Sequence, residues 1–126
     1  MIADYYSGIQ HIGLPTNDMD ATIAFYQKLG LTPAYETKID CRVCFLRRGN
    51  LVIEAYENGA AVLNSGAVDH IALDCTDINA AYSEAQKAGF EFEFDGIQTL
   101  PFWKNGVAFF KIIGPNRETV EFCQIL

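Results

Sequence analysis

Residues 8–14 are apolar and rich in β-branched side chains, and Pro15, Thr16 and Asn17 interrupt them, so the chain opens on a strand that stops there. From Met19 the rhythm changes. Met19, Ile23, Tyr26 and Leu29 recur every three or four residues, the spacing that sets one face of a helix against a core. Asp18 or Asn17 stands where a side-chain oxygen can accept from the free N–H groups of the first turn, and Gly30 stands where helices commonly end. Three more strands are predicted at residues 31–38, 42–48 and 51–57, with Gly49 and Asn50 placed for a hairpin turn.

The pattern then repeats. Val68-Asp69-His70-Ile71-Ala72-Leu73 answers Ile9-Gln10-His11-Ile12-Gly13-Leu14, with the histidines 59 positions apart (70 minus 11). Asp18 and Asp77, Ala21 and Ala80, Gln27 and Gln86, and Gly30 and Gly89 keep that offset. A second helix is predicted over residues 77–89, with Ile78, Ala81, Tyr82, Ala85 and Ala88 turned inward, followed by strands at 90–94, 106–113 and 118–126. Glu54 and Glu121 answer each other at an offset of 67 (121 minus 54), so the second copy carries inserted residues. The chain reads as one domain, 1–126, made of two copies of a strand–helix–three-strand module, 8–57 and 68–126, joined by a linker at 58–67; the class is α+β.

Strand parity turns the repeat into chemistry. Ile12 and Leu14 face away from His11, Ile71 and Leu73 from His70, Ile53 and Ala55 from Glu54, and Val120 and Phe122 from Glu121. One face of each sheet is thus apolar and suits the helix, while the other carries two histidines and two glutamates. A buried carboxylate is costly unless it is paired or bound to a metal. Equivalent positions in a pseudo-twofold repeat would bring all four towards one axis, as a mixed nitrogen and oxygen set for a divalent first-row ion.

Composition narrows the setting. At 126 residues, 50% hydrophobic and 20% charged, the chain can build a core without a disulfide or metal staple. A net charge of -7 and a pI near 4.6 repel phosphate backbones and anionic lipid alike, so neither nucleic acid nor a membrane is an expected partner. No apolar run approaches the about 20 residues that span a bilayer, and the first residues lack a signal peptide's layout; a cytoplasmic setting is expected. There Cys41, Cys44, Cys75 and Cys123 are expected as free thiols. Cys41 and Cys44 have a metal-like spacing, but positions three apart in a strand face opposite ways.

The pattern His11-x-x-Leu14, Asp18, Phe25-Tyr26, Leu29-Gly30, Val52-Ile53-Glu54, Asp69-His70-Ile71-Ala72-Leu73, Gly114-Pro115-Asn116 and Val120-Glu121-Phe122 resembles the glyoxalase I group of the vicinal oxygen chelate superfamily, over nearly the whole chain. The resemblance implies paired βαβββ modules curling into a half-open mixed β-barrel around a divalent metal. Carried over position by position, the metal ligands are His11, Glu54, His70 and Glu121. The turn before the last strand departs from the family, with Gly114 where an Asp is frequent and Arg117 where a Gly is.

Four protein ligands leave two positions of an octahedral ion for a substrate with two adjacent oxygens. The resemblance implies a lyase or isomerase like lactoylglutathione lyase, acting on a 2-oxoaldehyde thiol adduct or similar small molecule, with Glu121 as the catalytic base, Glu54 as its counterpart, and nickel, cobalt or zinc as the ion. Extradiol dioxygenases and fosfomycin-modifying enzymes also resemble this layout but use two histidines and one glutamate, and methylmalonyl-CoA epimerases typically have Gln near the position of Glu54. A metal-free binding module that sequesters a drug, as resistance proteins of the superfamily do, is the reading from a different class. Candidates to meet an anionic substrate are Arg42, Arg47, Arg48 and Lys104, with Trp103 and Tyr56 as possible pocket walls. Exposed strand edges and apolar faces make a homodimer the expected assembly.

Overall fold

The computed structural model describes all 126 residues, which divide into two compact units, Met1–Ala61 and Val62–Leu126. The first holds a short 3-10 helix, Ile2–Tyr5, then β1 (Ile12–Pro15), α1 (Met19–Lys28), β2 (Thr32–Ile39), β3 (Cys41–Arg48) and β4 (Leu51–Tyr56). Its sheet runs β1-β4-β3-β2, with β1 parallel to β4 and the other pairs antiparallel. The second unit holds β5 (Ile71–Asp74), α2 (Ile78–Ala88), β6 (Glu91–Phe92), β7 (Gln98–Leu100), β8 (Val107–Ile113) and β9 (Thr119–Ile125). Its sheet runs β5-β9-β8-β6, with β5 parallel to β9 and β7 also on β8. Two mixed sheets, each with one helix, make the α+β class expected from the repeat.

The helices start and stop where their caps dictate. Asp18 accepts from the Ala21 N–H at 3.0 Å and Asp77 from the Ala80 N–H at 3.0 Å. Gly89 closes α2 in the left-handed region, φ 74°, where a side chain would be strained. A second cap reaches each helix from the end of the last strand of its sheet. Glu57 accepts from the Met19 N–H at 2.6 Å, and Gln124, its counterpart at the offset of 67, accepts from the Ile78 N–H at 2.8 Å. Glu57, beside the linker, is thus part of the α1 terminus.

Each helix packs on the face that parity assigned to it. In the first unit Cys44, Leu46, Ile53 and Ala55 are buried beneath Met19 and Tyr26. The inward stripe of α1 is rotated from the expected one: Thr22 and Phe25 are buried, while Ile23 and Leu29 are half-buried. A hydroxyl is tolerated there because Thr22 and Thr16 hydrogen-bond each other at 2.9 Å. In the second unit Phe110 stacks on Phe122 at 4.8 Å and takes the edge of Tyr82 at 5.2 Å, with Ile112 and Val120 fully buried beside them.

Two expectations about strands also need correction. The first strand of each module is shorter than its apolar run, so His11 and His70 lie one residue ahead of the ladders that begin at Ile12 and Ile71. The strand expected at residues 90–94 is instead the pair β6 and β7. Glu91 opposite Ile113 is the counterpart of Thr32 opposite Arg47, and Gln98 opposite Phe109 that of Thr37 opposite Val43. Between these rungs the second copy has two extra residues and leaves the ladder, turning at Gly96 (φ 79°), whose N–H donates to the Tyr82 hydroxyl at 3.0 Å. Most of the remaining insertion enlarges the turn that Asp40 makes alone between β2 and β3 into the loop 101–106. In the final hairpin, Gly114 leaves room for the Glu118 carboxylate, which accepts from the Asn116 N–H at 2.9 Å; a Cβ at position 114 would collide with it.

Candidate functional site

Residue pairing across β1 and β4 puts Gly13 opposite Glu54, and across β5 and β9 puts Ala72 opposite Glu121. Because side chains alternate, the histidine two positions before each small residue shares the glutamate's face. The geometry follows in both modules. His11 Nε2 lies 3.2 Å from Glu54 Oε2, and His70 Nε2 lies 3.2 Å from Glu121 Oε2. Glu121 is the more enclosed carboxylate, its side chain 12% exposed against 28% for Glu54.

The preceding residue fixes each ring. His11 Nδ1 is 2.8 Å from Gln10 Oε1, and His70 Nδ1 is 2.8 Å from Asp69 Oδ2. A carboxylate only accepts, so Nδ1 of His70 carries a proton, and a ring with no second proton would turn a lone pair on Nε2 towards Glu121. The same bond holds the Asp69 carboxyl below its ordinary value. Two acceptors facing each other at 3.2 Å call for a cation or a proton at their meeting point. Two ligands of one ion, at bond lengths of about 2.1 Å, lie about 3.0 Å apart at a right angle and about 3.4 Å apart at the tetrahedral angle; the observed separation falls between. The donor chemistry and spacing of each pair fit a divalent metal.

The structure brings the four expected ligands together two by two, each pair within its own module. No group of three or more His, Cys, Asp or Glu side chains is close enough to hold an ion. The hydrogen-bond partners behind the two rings, Gln10 and Asp69, were legible only as part of the repeat; their equal step ahead of each histidine was the signal for their role.

Across the sheet from the glutamates the two modules differ. Phe45 stands opposite Glu54 and meets the His11 ring edge-on at 5.8 Å, whereas Lys111 stands opposite Glu121. The arginine and lysine candidates are placed otherwise. Arg42 is bound to Asp20 at 2.7 Å and lies 3.7 Å from Glu36, Arg48 packs against Gly30, and Arg47 and Lys104 are exposed. Trp103 sits at φ 62° and is 74% exposed in the loop after β7. Tyr56 shares the face of Glu54, its ring lying beside Gly13. The four cysteines are free, and burial pushes the Cys44 thiol up to about 11. No helix is long and apolar enough to cross a membrane.

Comparison with known proteins gives the same architecture. The chain is 31% identical to the uncharacterized protein YwbC of Bacillus subtilis (strain 168), the match covering 92% of this chain and 96% of that one. Among solved structures, a glyoxalase family protein from Enterococcus faecalis superposes with a TM-score of 0.79 at 17% identity, over 94% of this chain and 98% of that one. The fosfomycin resistance protein FosX from Listeria monocytogenes gives 0.74 at 18% identity, over 96% and 95%. A bleomycin-binding protein complexed with bleomycin gives 0.69 at 20% identity, over 95% and 100%. The family model for the glyoxalase/bleomycin resistance protein/dioxygenase superfamily matches residues 8–122, and with the duplicated module and its His–Glu pairs this places the chain in that superfamily.

Proposed function

We propose that the protein is a metal-dependent lyase or isomerase of the glyoxalase I type, in which His11, Glu54, His70 and Glu121 together hold one divalent ion. The carrying observation is that both modules aim an imidazole Nε2 at a carboxylate oxygen 3.2 Å away, with Nδ1 already hydrogen-bonded. The two modules act as one domain, their pairs combining within a chain or between the copies of a homodimer. Nickel, cobalt and zinc suit the ligand set. When bound, such an ion supplies Lewis-acid stabilisation of the negative charge that develops on two adjacent substrate oxygens.

The chain's own groups move the proton. A carboxylate oxygen of Glu121 takes it from the carbon next to the carbonyl, and the same carboxyl returns it to the neighbouring carbon, so the substrate is isomerised without net gain or loss. Glu54 is the counterpart in the first module.

Similarity to a bleomycin-binding protein supports a second reading, a metal-free binder of small molecules. The retention of both His–Glu pairs favours the enzyme. Elemental analysis of protein purified without added metal separates the two: about one divalent ion per site is expected of the enzyme and none of the binder. With 2-oxoaldehyde thiol adducts and protein loaded with nickel, cobalt or zinc, turnover is expected, and Glu121→Gln is expected to abolish it while the circular dichroism spectrum stays that of the wild type. Wild-type rates in that variant would discard the mechanism.

A further inference from the structure

Asparagine or aspartate followed by glycine is a chemically weak link, because a residue without a side chain leaves its own amide nitrogen free to reach the carbonyl carbon of the preceding side chain. This chain has three such pairs, Asn58-Gly59, Asp95-Gly96 and Asn105-Gly106. The fold ties down two of them. The Gly59 N–H donates to the Thr16 carbonyl at 3.2 Å, and Oδ1 of Asn58 accepts from the Ala60 N–H at 3.0 Å. The Gly96 N–H donates to the Tyr82 hydroxyl at 3.0 Å. The nitrogen that would attack is held in both pairs, and in the first its target is held as well. Asn105-Gly106 ends the loop 101–106 between β7 and β8, and there neither the Asn105 side chain nor the Gly106 N–H makes a hydrogen bond. Only the Gly106 carbonyl is engaged, accepting from the Leu126 N–H at 2.9 Å. Asn58 and Asn105 are both exposed, so hydrogen bonding and not burial sets them apart.

We propose that Asn105 is a site of spontaneous modification, converted in the folded protein to aspartate and isoaspartate while Asn58 is preserved. The Gly106 amide nitrogen attacks Cγ of Asn105. A bond forms between them as the Cγ–Nδ2 bond breaks, and the amide proton leaves with the departing ammonia. Water then opens the cyclic imide at either of its two carbonyls. No oxidant or reductant takes part. A carboxylate stands where the amide stood, so the net charge goes from -7 to -8 (7 plus 1). In the isoaspartate form the backbone also runs through one extra carbon. The change falls beside Lys104 and two residues from Trp103, the single tryptophan of the chain, in the exposed aromatic loop. The first module is spared an equivalent, since Asp40 alone makes the matching turn and Cys41, not a glycine, follows it.

The test holds the folded protein in warm neutral buffer and follows each site by peptide mass mapping, which separates amide from acid, with isoaspartate resolved from aspartate by retention time. Asn105 is expected to convert about tenfold faster than Asn58, the weight of the two hydrogen bonds that must open before Gly59 can attack. In concentrated urea, where the fold is gone, the two Asn-Gly pairs are expected to convert at similar rates. Equal rates at Asn58 and Asn105 in the folded protein overturn the proposal, as does an Asn105 that keeps its amide there while losing it in urea. A ratio as large in urea as in buffer overturns it too, because the difference would then lie in the neighbouring sequence and not in the fold.

Discussion

At the scale of single residues, the hydrogen bond behind each histidine decides what the ring can do. Asp69 and Gln10 make the same contact at the same distance, but one is a carboxylate and the other an amide. A carboxylate behind a ligand histidine raises its basicity as well as fixing its tautomer, and losing such a partner typically costs ten- to a hundredfold in metal affinity, on the order of the effect expected for Asp69→Ala. Gln10→Ala is expected to lose less. Isothermal titration with zinc checks the order; equal losses would show that orientation alone matters. Cys44 carries a second prediction at this scale. Burial first, then the charge and hydrogen bond of Glu36, raise its thiol from 9.0 to about 11. Below pH 9 the thiol keeps its proton folded or unfolded, and its contribution is fully present; above that the unfolded chain releases a proton that the folded chain retains, so stability falls as pH rises towards 11. Melting temperature against pH is expected to drop more steeply over this range in the wild type than in Cys44→Val, and parallel curves would count against it.

At the scale of elements, the helices were legible because their signals are local. Asp18 and Asp77, the three-to-four spacing of apolar residues and the closing glycines each act within a turn or two of chain. The strands were legible where alternation was unbroken, as in β3, β4, β8 and β9. The split of the third strand in the second module was not, because residues 94–97 leave the ladder where the Gly96 N–H donates to Tyr82 on α2, and nothing in their own composition announces it. The site was legible in the same proportion. Parity put each histidine on the face of its module's glutamate, but Lys111 could be placed opposite Glu121 only once the register of the hairpin closed by residues 114–118 was known. The second caps were missed for a similar reason: Glu57 and Gln124 act on helices that precede them by 38 and 46 residues. Their difference is testable. A carboxylate at a helix N-terminus gains from the helix dipole as well as from the hydrogen bond. Gln124→Glu is accordingly expected to stabilise the protein by about 0.3–1 kcal/mol, and Glu57→Gln to destabilise it by a similar amount, both read by urea unfolding. A destabilised Gln124→Glu would mean that the carboxylate cannot reach the Ile78 N–H.

At the scale of the whole molecule, the unresolved demand is for something to cover apolar side chains that the fold leaves in water. The 3-10 helix Ile2–Tyr5 buries none of its residues. Tyr5 and Ile9 are 84% and 81% exposed, with Met1, Ile2 and Tyr6 also exposed near them, and Leu100, Phe102 and Trp103 lie bare in the second unit. A single exposed apolar residue needs no explanation, but a run of them along one segment marks an interaction site. A second copy of the chain is the predicted occupant, and the arrangement in which His–Glu pairs are shared between copies would need it. Sedimentation equilibrium is expected to give about twice the 14.0 kDa of the chain. Aromatic anchors carry a disproportionate part of an interface, so a Tyr5→Ser, Ile9→Ser variant is expected to dissociate at about tenfold lower dilution or less. The measurement also bears on the metal: if the ligand pairs combine between copies, cobalt uptake falls with the dimer in that variant, whereas pairs that combine within one chain keep their cobalt when the copies separate.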